Sequence, residues 1–358
     1  MNLTRPKLSP EFLLKQTQTY VDAQASGLKI IPLAGDASNR SYYRLELILK
    51  DQTHRTVVLM VLAEPEPFKQ SEEKESGKIT TAELPFLNIQ KFLHSHGVAV
   101  PLVYYHDQKT GLIYLEDLGD QTFEKTVKSL PGSQIKLFYQ GAINELIRIQ
   151  ECKSNSESCV AFERSFNQPL LVWEFDHFLE YGVEKNGGGL ASLEDRVVFK
   201  ETFNRISTIL ASEPTVFVHR DYHSRNLMVQ GEKLRVIDFQ DALLGPCQYD
   251  LASLLRDAYM TLPEDLIDHL VDFYIDQKEK KEQSAINRRQ FRYVFDLVSL
   301  QRNMKAAGRF VFIDLVKKNS NFLQYVPKAL KDISLNLKKY PELKALKASL
   351  VRYLPELA

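Results

Sequence analysis

"FVHRDYHSRNLMVQGEKLRVIDFQD", residues Phe217–Asp241, threads acidic residues, an asparagine and several bases onto short apolar runs. A strand over Val216–Val218 would deliver Asp221 to a loop. A hairpin turning at Gln230-Gly231 would bring Asp238, at the end of the apolar run "LRVI", back beside Asn226. One carboxylate and one amide oxygen then converge, a pair that suits Mg²⁺, which keeps several waters and takes its remaining ligands from phosphates. The competing interpretation is an ordinary polar hairpin. The flanking strands, with Asp221, Asn226 and Asp238 taken together, weigh against it.

Phosphoryl transfer needs a carboxylate aimed at the acceptor hydroxyl, oxygen ligands for magnesium, a cradle for nucleotide phosphates and cations to balance charge. His219-Arg220-Asp221 followed by Asn226 has the H-R-D-x-x-x-x-N spacing of a kinase catalytic loop. Asp221, left free of the metal, would accept the hydroxyl proton or orient that hydroxyl for in-line attack. His219 and His223 are expected to organise the loop, because magnesium prefers oxygen and no zinc spacing is complete.

On the N-terminal side, Ser9-Pro10-Glu11 is a helix start, and a helix to about Val21 follows. "LKIIPLAG", "SYYRLELILK" and "TVVLMVLA" are rich in β-branched and aromatic residues and predict three antiparallel strands. Apolar spacing from Leu84 to His94 predicts a helix, closed by Gly97 and Pro101. "VPLVYYHD" and "GLIYLEDLG" predict two more strands, joined around Lys109-Thr110-Gly111. Beyond Gly119 the pattern is helical except around Phe217–Asp241; "KEKKEQ" from Lys278 reads as a solvated surface turn. These expectations describe an α+β fold: a small, antiparallel, β-rich lobe over 1–118 and a larger helical lobe over 119–358.

Composition narrows the function. The 358 residues are 44% hydrophobic and 26% charged, with 46 basic and 46 acidic side chains, so nothing favours coating nucleic acid or an anionic membrane. Cys152, Cys159 and Cys247 form no CxxC pair, which fits a reducing compartment. "MNLTRPKLSPEFLL" lacks the apolar core of a signal peptide, and no stretch approaches the roughly 18 apolar residues of a spanning helix. A soluble cytoplasmic protein is expected, acting on a small molecule with no nucleic-acid, membrane or obligate protein partner.

The catalytic-loop residues resemble the aminoglycoside phosphotransferase and choline kinase group of the kinase-like fold. His223, two places after Asp221, stands where small-molecule kinases of that group tend to have histidine. Asp238 is followed by Phe239-Gln240-Asp241, and only a short segment separates it from "YDLASLLRD", leaving no room for a peptide-binding activation loop. "GDASNRSYYRL", "LEDLG", "HRDYHSRNLM", "IDFQDALLGPCQYDLASLLRDAY" and "LQRNMKAAGRF" together resemble the anomeric sugar kinases that phosphorylate N-acetylmuramate and N-acetylglucosamine at C1 during bacterial cell-wall recycling.

That resemblance implies ATP and Mg²⁺ as cofactors, Asp221 as the catalytic residue, and Asn226 and Asp238 on the metal. Gly35 to Ser41, including Ser38, would cover the phosphates; Glu116 to Leu118 would be the hinge meeting adenine; Asp250 would brace the catalytic loop. The third strand carries Met60 where such kinases have lysine, so Arg40 or Arg44 is expected to supply the balancing cation, and Glu83 loses its presumed lysine partner. Trp173, Glu174, Asp176, His177 and Glu180 form a dense polar and aromatic cluster suited to a sugar, or simply an amphipathic helix. Arg256 with Asp257 would line the acceptor pocket or form a surface ion pair, and Arg302 with Lys305 would reach an anionic substrate such as the muramate carboxylate or serve as a structural pair. The alternatives are a kinase for an aminoglycoside, choline-like or other hydroxylated metabolite, and a non-catalytic nucleotide-binding pseudokinase.

Overall fold

Ser9 opens the first helix by accepting a hydrogen bond from the Phe12 amide on its side-chain oxygen, which satisfies one orphan donor of α1 (Pro10–Tyr20). The computed structural model describes residues 8–33, 40–62, 74–77, 83–154, 159–186, 189–231 and 233–358. Contacts divide the chain into two compact units, Met1–Ser71 with Ala99–Asp120, and Glu72–Val98 with Gln121–Ala358.

The first unit is a five-stranded antiparallel sheet of β1 (Ala25–Leu33), β2 (Ser41–Leu49), β3 (His54–Val61), β4 (Val103–Asp107) and β5 (Leu112–Glu116), ordered β1-β2-β3-β5-β4. Alternation puts Leu45 and Leu47 of β2 with Val57 and Leu59 of β3 on one face, where they enclose Leu13 of α1. The β4–β5 turn is made where Lys109 and Thr110 were expected: their amides donate to Asp107 Oδ1, and Gly111 takes a φ of +69°.

The second unit contains the helix expected near Leu84, here α2 (Pro85–Ser95). It packs among larger-unit residues: Phe86 stacks on Phe239 at 5.1 Å, and Asn88 Oδ1 accepts from the Val160 amide at 2.9 Å. There follow α3 (Phe123–Ser129), α4 (Gly132–Gln150), α5 (Gln168–His177), α6 (Leu193–Ser212), α7 (Gln248–Leu255), α8 (Glu264–Glu282), α9 (Arg288–Lys317), α10 (Val326–Lys339) and α11 (Lys344–Val351). Two antiparallel pairs interrupt the helices: β6 (Thr215–Val218) with β9 (Leu243–Pro246), and β7 (Leu227–Gln230) with β8 (Lys233–Val236). The α+β architecture expected from the sequence is therefore the one observed.

One expectation fails. The run from Lys278 is no turn: it forms the end of α8, where Lys278 and Glu282 pair at 2.7 Å, and the chain reverses only at Gln283, whose φ is +51°. Charges spaced four apart support a helix as readily as they solvate a loop.

A second feature had no sequence expectation. The segment Phe178–Lys185 continues α5 as a π-helix, and α9 approaches it at Gly308. A Cβ at Gly308 would stand 2.8 Å from the Phe178 Cα, so only glycine permits this approach. Helix α9 is thereby pinned against the end of α5.

Candidate active site

Strand β6 ends at Val218, and the next residues turn sharply because two backbone amides are captured by one carboxylate. His219 N donates to Asp250 Oδ2 at 2.6 Å and Arg220 N donates to Oδ1 at 3.0 Å. Asp250 lies fully buried in the first turn of α7, where the helix dipole favours negative charge. Burial pushes its carboxyl up to about 7 while the two amide donors pull the other way.

His219 locks the far side of the loop. Its Nδ1 accepts from the Asp221 amide at 3.3 Å, so Nε2 carries the proton that it donates to the Ile237 carbonyl at 2.9 Å. Burial lowers its pKa to about 4, which keeps the ring neutral in that role. Loop organisation is thus what His219 provides.

The β7–β8 hairpin closes as its spacing predicts, pairing Leu227 with Val236 and Gln230 with Lys233 across the turn at Gly231, whose φ is +60°. This register returns Asp238 to Asn226: Asn226 Nδ2 donates to Asp238 Oδ2 at 3.2 Å and to the Asp221 carbonyl at 3.0 Å. Gln240 Nε2 holds the other oxygen of Asp238 at 2.8 Å. Arg220 and Asp238 both have left-handed backbones, with φ of +79° and +65°. Strain of this kind in non-glycine residues is characteristic of sites whose surroundings over-determine them.

Asp221 is half-buried. Burial alone would raise its pKa, but the charges of Lys305, Arg302, His223 and Arg220 outweigh it and hold the carboxyl at about 2. The site therefore presents an ionised carboxylate beside a carboxylate–amide pair. Among the described residues no cluster of three or more His, Cys, Asp and Glu side chains is arranged for a metal. A carboxylate and an amide offer hard oxygen donors, which fit Mg²⁺ and do not fit zinc.

The cluster on α5 divides. Glu174 faces inward and is 1% exposed; its Oε1 meets Arg220 Nη2 at 2.9 Å and Lys305 Nζ at 2.8 Å, and its Oε2 accepts from Gln301 at 2.6 Å. His177 is also buried, packed between Tyr181 and Phe312 with Trp173 parallel to it at 5.9 Å. Asp176 is exposed, two residues from Glu174 and hence on the opposite helix face. Glu180 is exposed and paired with Lys185 at 2.6 Å. These residues do not converge on one pocket.

Two of the remaining acceptor candidates, Asp257 and Arg302, brace the loop. Arg256 is forked onto Glu264. Asp257 accepts from the Ser224 amide at 2.9 Å and the Tyr259 amide at 2.8 Å, which fixes the loop one residue beyond His223. Arg302 donates from Nη1 to the Arg220 carbonyl at 2.8 Å. Arg225, which sequence reasoning passed over, lies 3.7 Å above the Tyr259 ring and binds Glu124 at 2.7 Å.

In the first unit, Gly35 and Ser38 lie outside the described residues, and Arg40 is half-buried just before β2. Arg44 is engaged by two carboxylates, Nε to Asp117 at 2.6 Å and Nη1 to Asp120 at 2.9 Å, so its charge is balanced within the unit. Glu116 Oε2 accepts from the Leu102 amide at 3.1 Å, and Leu118 is buried. Met60 is fully buried in β3. Glu83, just before α2, pairs with Lys91.

Comparison with known proteins gives one consistent result. The sequence profile of the phosphotransferase enzyme family matches residues 29–284. The chain is 31% identical over 272 residues to an N-acetylmuramate/N-acetylglucosamine kinase of Neisseria meningitidis, covering 75% of this chain and 78% of that protein. It is 28% identical over 332 residues to a protein of the same name from Pseudomonas aeruginosa, covering 92% of this chain and 89% of the other. In structure it is similar to an ADP-bound aminoglycoside phosphotransferase, with a TM-score of 0.55, 14% identity and coverage of 90% of this chain and 96% of that one.

Proposed function

The chain belongs to the phosphotransferase enzyme family, and from that premise we propose that it transfers the γ-phosphoryl group of ATP to the anomeric C1 hydroxyl of N-acetylmuramate or N-acetylglucosamine. The observation that carries this reading is the arrangement of the loop: Asn226 Nδ2 and Asp238 Oδ2 stand 3.2 Å apart, and Asn226 meets Asp221 at its main-chain carbonyl, 3.0 Å away. Likeness to two amino-sugar kinases over most of the chain supports the acceptor.

In this reading Asp221 accepts a hydrogen bond from the C1 hydroxyl and orients its oxygen toward phosphorus. The new C1–O–P bond forms in line as the bond from the γ-phosphorus to the bridging oxygen breaks, ADP leaves, and the hydroxyl proton passes toward Asp221. Asn226 and Asp238 would hold Mg²⁺, which when bound neutralises charge on the phosphate oxygens. His219, Asp250 and Asp257 keep the loop in register. Gly35, Ser38, Glu116 and Leu118 are assigned to the nucleotide by family resemblance, and Arg40 or Arg44 is assigned the cation that the third strand lacks at Met60.

We assign the reaction to the cytoplasm, as a step of cell-wall recycling. Cys152, Cys159 and Cys247 are free thiols, as suits a reducing compartment, and among the described residues no helix is long and apolar enough to cross a membrane. A coupled ADP-release assay over a substrate panel tests the acceptor. Turnover with either amino sugar and none with kanamycin or choline is expected; the reverse pattern would overturn the assignment.

A further inference from the structure

Arg220 is held at every part of its main chain and at its side chain. Its amide donates to Asp250 at 3.0 Å, its carbonyl accepts from Arg302 at 2.8 Å, and its guanidinium meets Glu174 at 2.9 Å with side chains only 6% and 0% exposed. The left-handed backbone of a non-glycine residue costs on the order of 1 kcal/mol or more, so these contacts must maintain it. The next residue along the chain is Asp221.

Glu174 is shared. The oxygen that binds Arg220 also binds Lys305 of α9, and the second oxygen is tied to Gln301 one turn earlier on the same helix. A fully buried carboxylate thus faces two cations, and Asp221 is the nearby carboxylate that also feels both of them. Removing one member of a buried charge cluster leaves the others uncompensated, and they move to the nearest opposite charge.

We propose that Glu174 is a positioning residue for phosphoryl transfer: it neutralises Arg220 and Lys305 on the buried side of the loop, keeping both cations off Asp221 so that this carboxylate stays available to the acceptor hydroxyl. The inference rests on Asp221 being the residue that orients that hydroxyl. It explains why an acidic residue occupies the inward face of α5 within the otherwise apolar run "LLVWEF". It also gives Lys305 a task that needs no contact with substrate.

The test is steady-state kinetics of the full chain as Glu174→Gln, Lys305→Met and the double variant E174Q/K305M, read with N-acetylmuramate, with N-acetylglucosamine and as intrinsic ATP hydrolysis. Glu174→Gln should lose between about ten- and a hundredfold in kcat, with KM for sugar and ATP within about twofold of wild type. The double variant, in which both charges leave together, should recover most of that loss. Wild-type kcat in Glu174→Gln, a loss carried by KM, or a double variant no better than the single one overturns the proposal. If circular dichroism shows that Glu174→Gln does not fold, the double variant decides: folded and active within about tenfold of wild type supports the role, and any other result overturns it. A wild type idle on both sugars contradicts the acceptor assignment alone, since the ratios in ATP hydrolysis still decide the part of Glu174.

Discussion

Asn226 and Asp238 are 12 positions apart in sequence and 3.2 Å apart in space, because β7 and β8 return the chain in a register that Gly231 permits. The hairpin turns two residues distant in sequence into a carboxylate–amide pair and leaves Asp221 beside it.

Asp238→Asn should therefore keep the fold and lose the chemistry. The amide retains the volume and the hydrogen bond to Gln240 while removing the charge; kcat/KM should fall on the order of a hundredfold or more. Calorimetric titration of Mg²⁺ in the presence of ADP should lose its binding heat in parallel. Unchanged metal affinity would remove Asp238 from the metal.

Arg44→Met tests whether that arginine acts first for stability. Asp117, with a side chain 3% exposed, would lose its forked partner, whereas Asp120, 67% exposed, would lose little. A loss of about 2 kcal/mol in urea unfolding is expected. A raised KM for ATP with an unchanged midpoint would instead give Arg44 the phosphate-balancing role expected from sequence.

The pH dependence of stability has a defined sign at His177. Burial, reinforced by the Arg309 charge, lowers its pKa from 6.5 to about 3. The unfolded chain takes up a proton below 6.5 and the folded chain does not until about 3, so this residue contributes no pH dependence above 6.5 and weakens the fold as pH falls through that window. Between pH 6 and 4.5 the wild type should lose up to about 1.4 kcal/mol per pH unit more than His177→Gln. Equal slopes in chemical denaturation would show that His177 protonates freely in the folded chain.

The parts of the site legible in the sequence were those encoded locally. The spacing from His219 to Asp238, the glycine at the turn and the apolar strands around it determine a hairpin whatever surrounds them. Charge partners were not legible, because Arg44 meets Asp117 across 73 positions and Arg220 meets Glu174 across 46. Glu174 left a local trace, an acid in an apolar run, but that trace suits a sugar pocket and a buried ion cluster equally. The Lys278–Glu282 run misled for a related reason: charges four apart suit a helix end as well as a solvated loop, and the rest of α8 decides, burying Lys278 beside Glu282. The π-helical continuation of α5 packs against α9 at Gly308, a contact between segments over a hundred positions apart.

Phosphorus NMR of the product formed by the wild-type chain with ATP, Mg²⁺ and N-acetylmuramate tests the central claim most directly. A phosphorus resonance coupled to the anomeric proton, labile in acid, stable in alkali and missing with Asp221→Ala, is the predicted result. Phosphorus coupled to the C6 protons, or inorganic phosphate as the sole product, would contradict it.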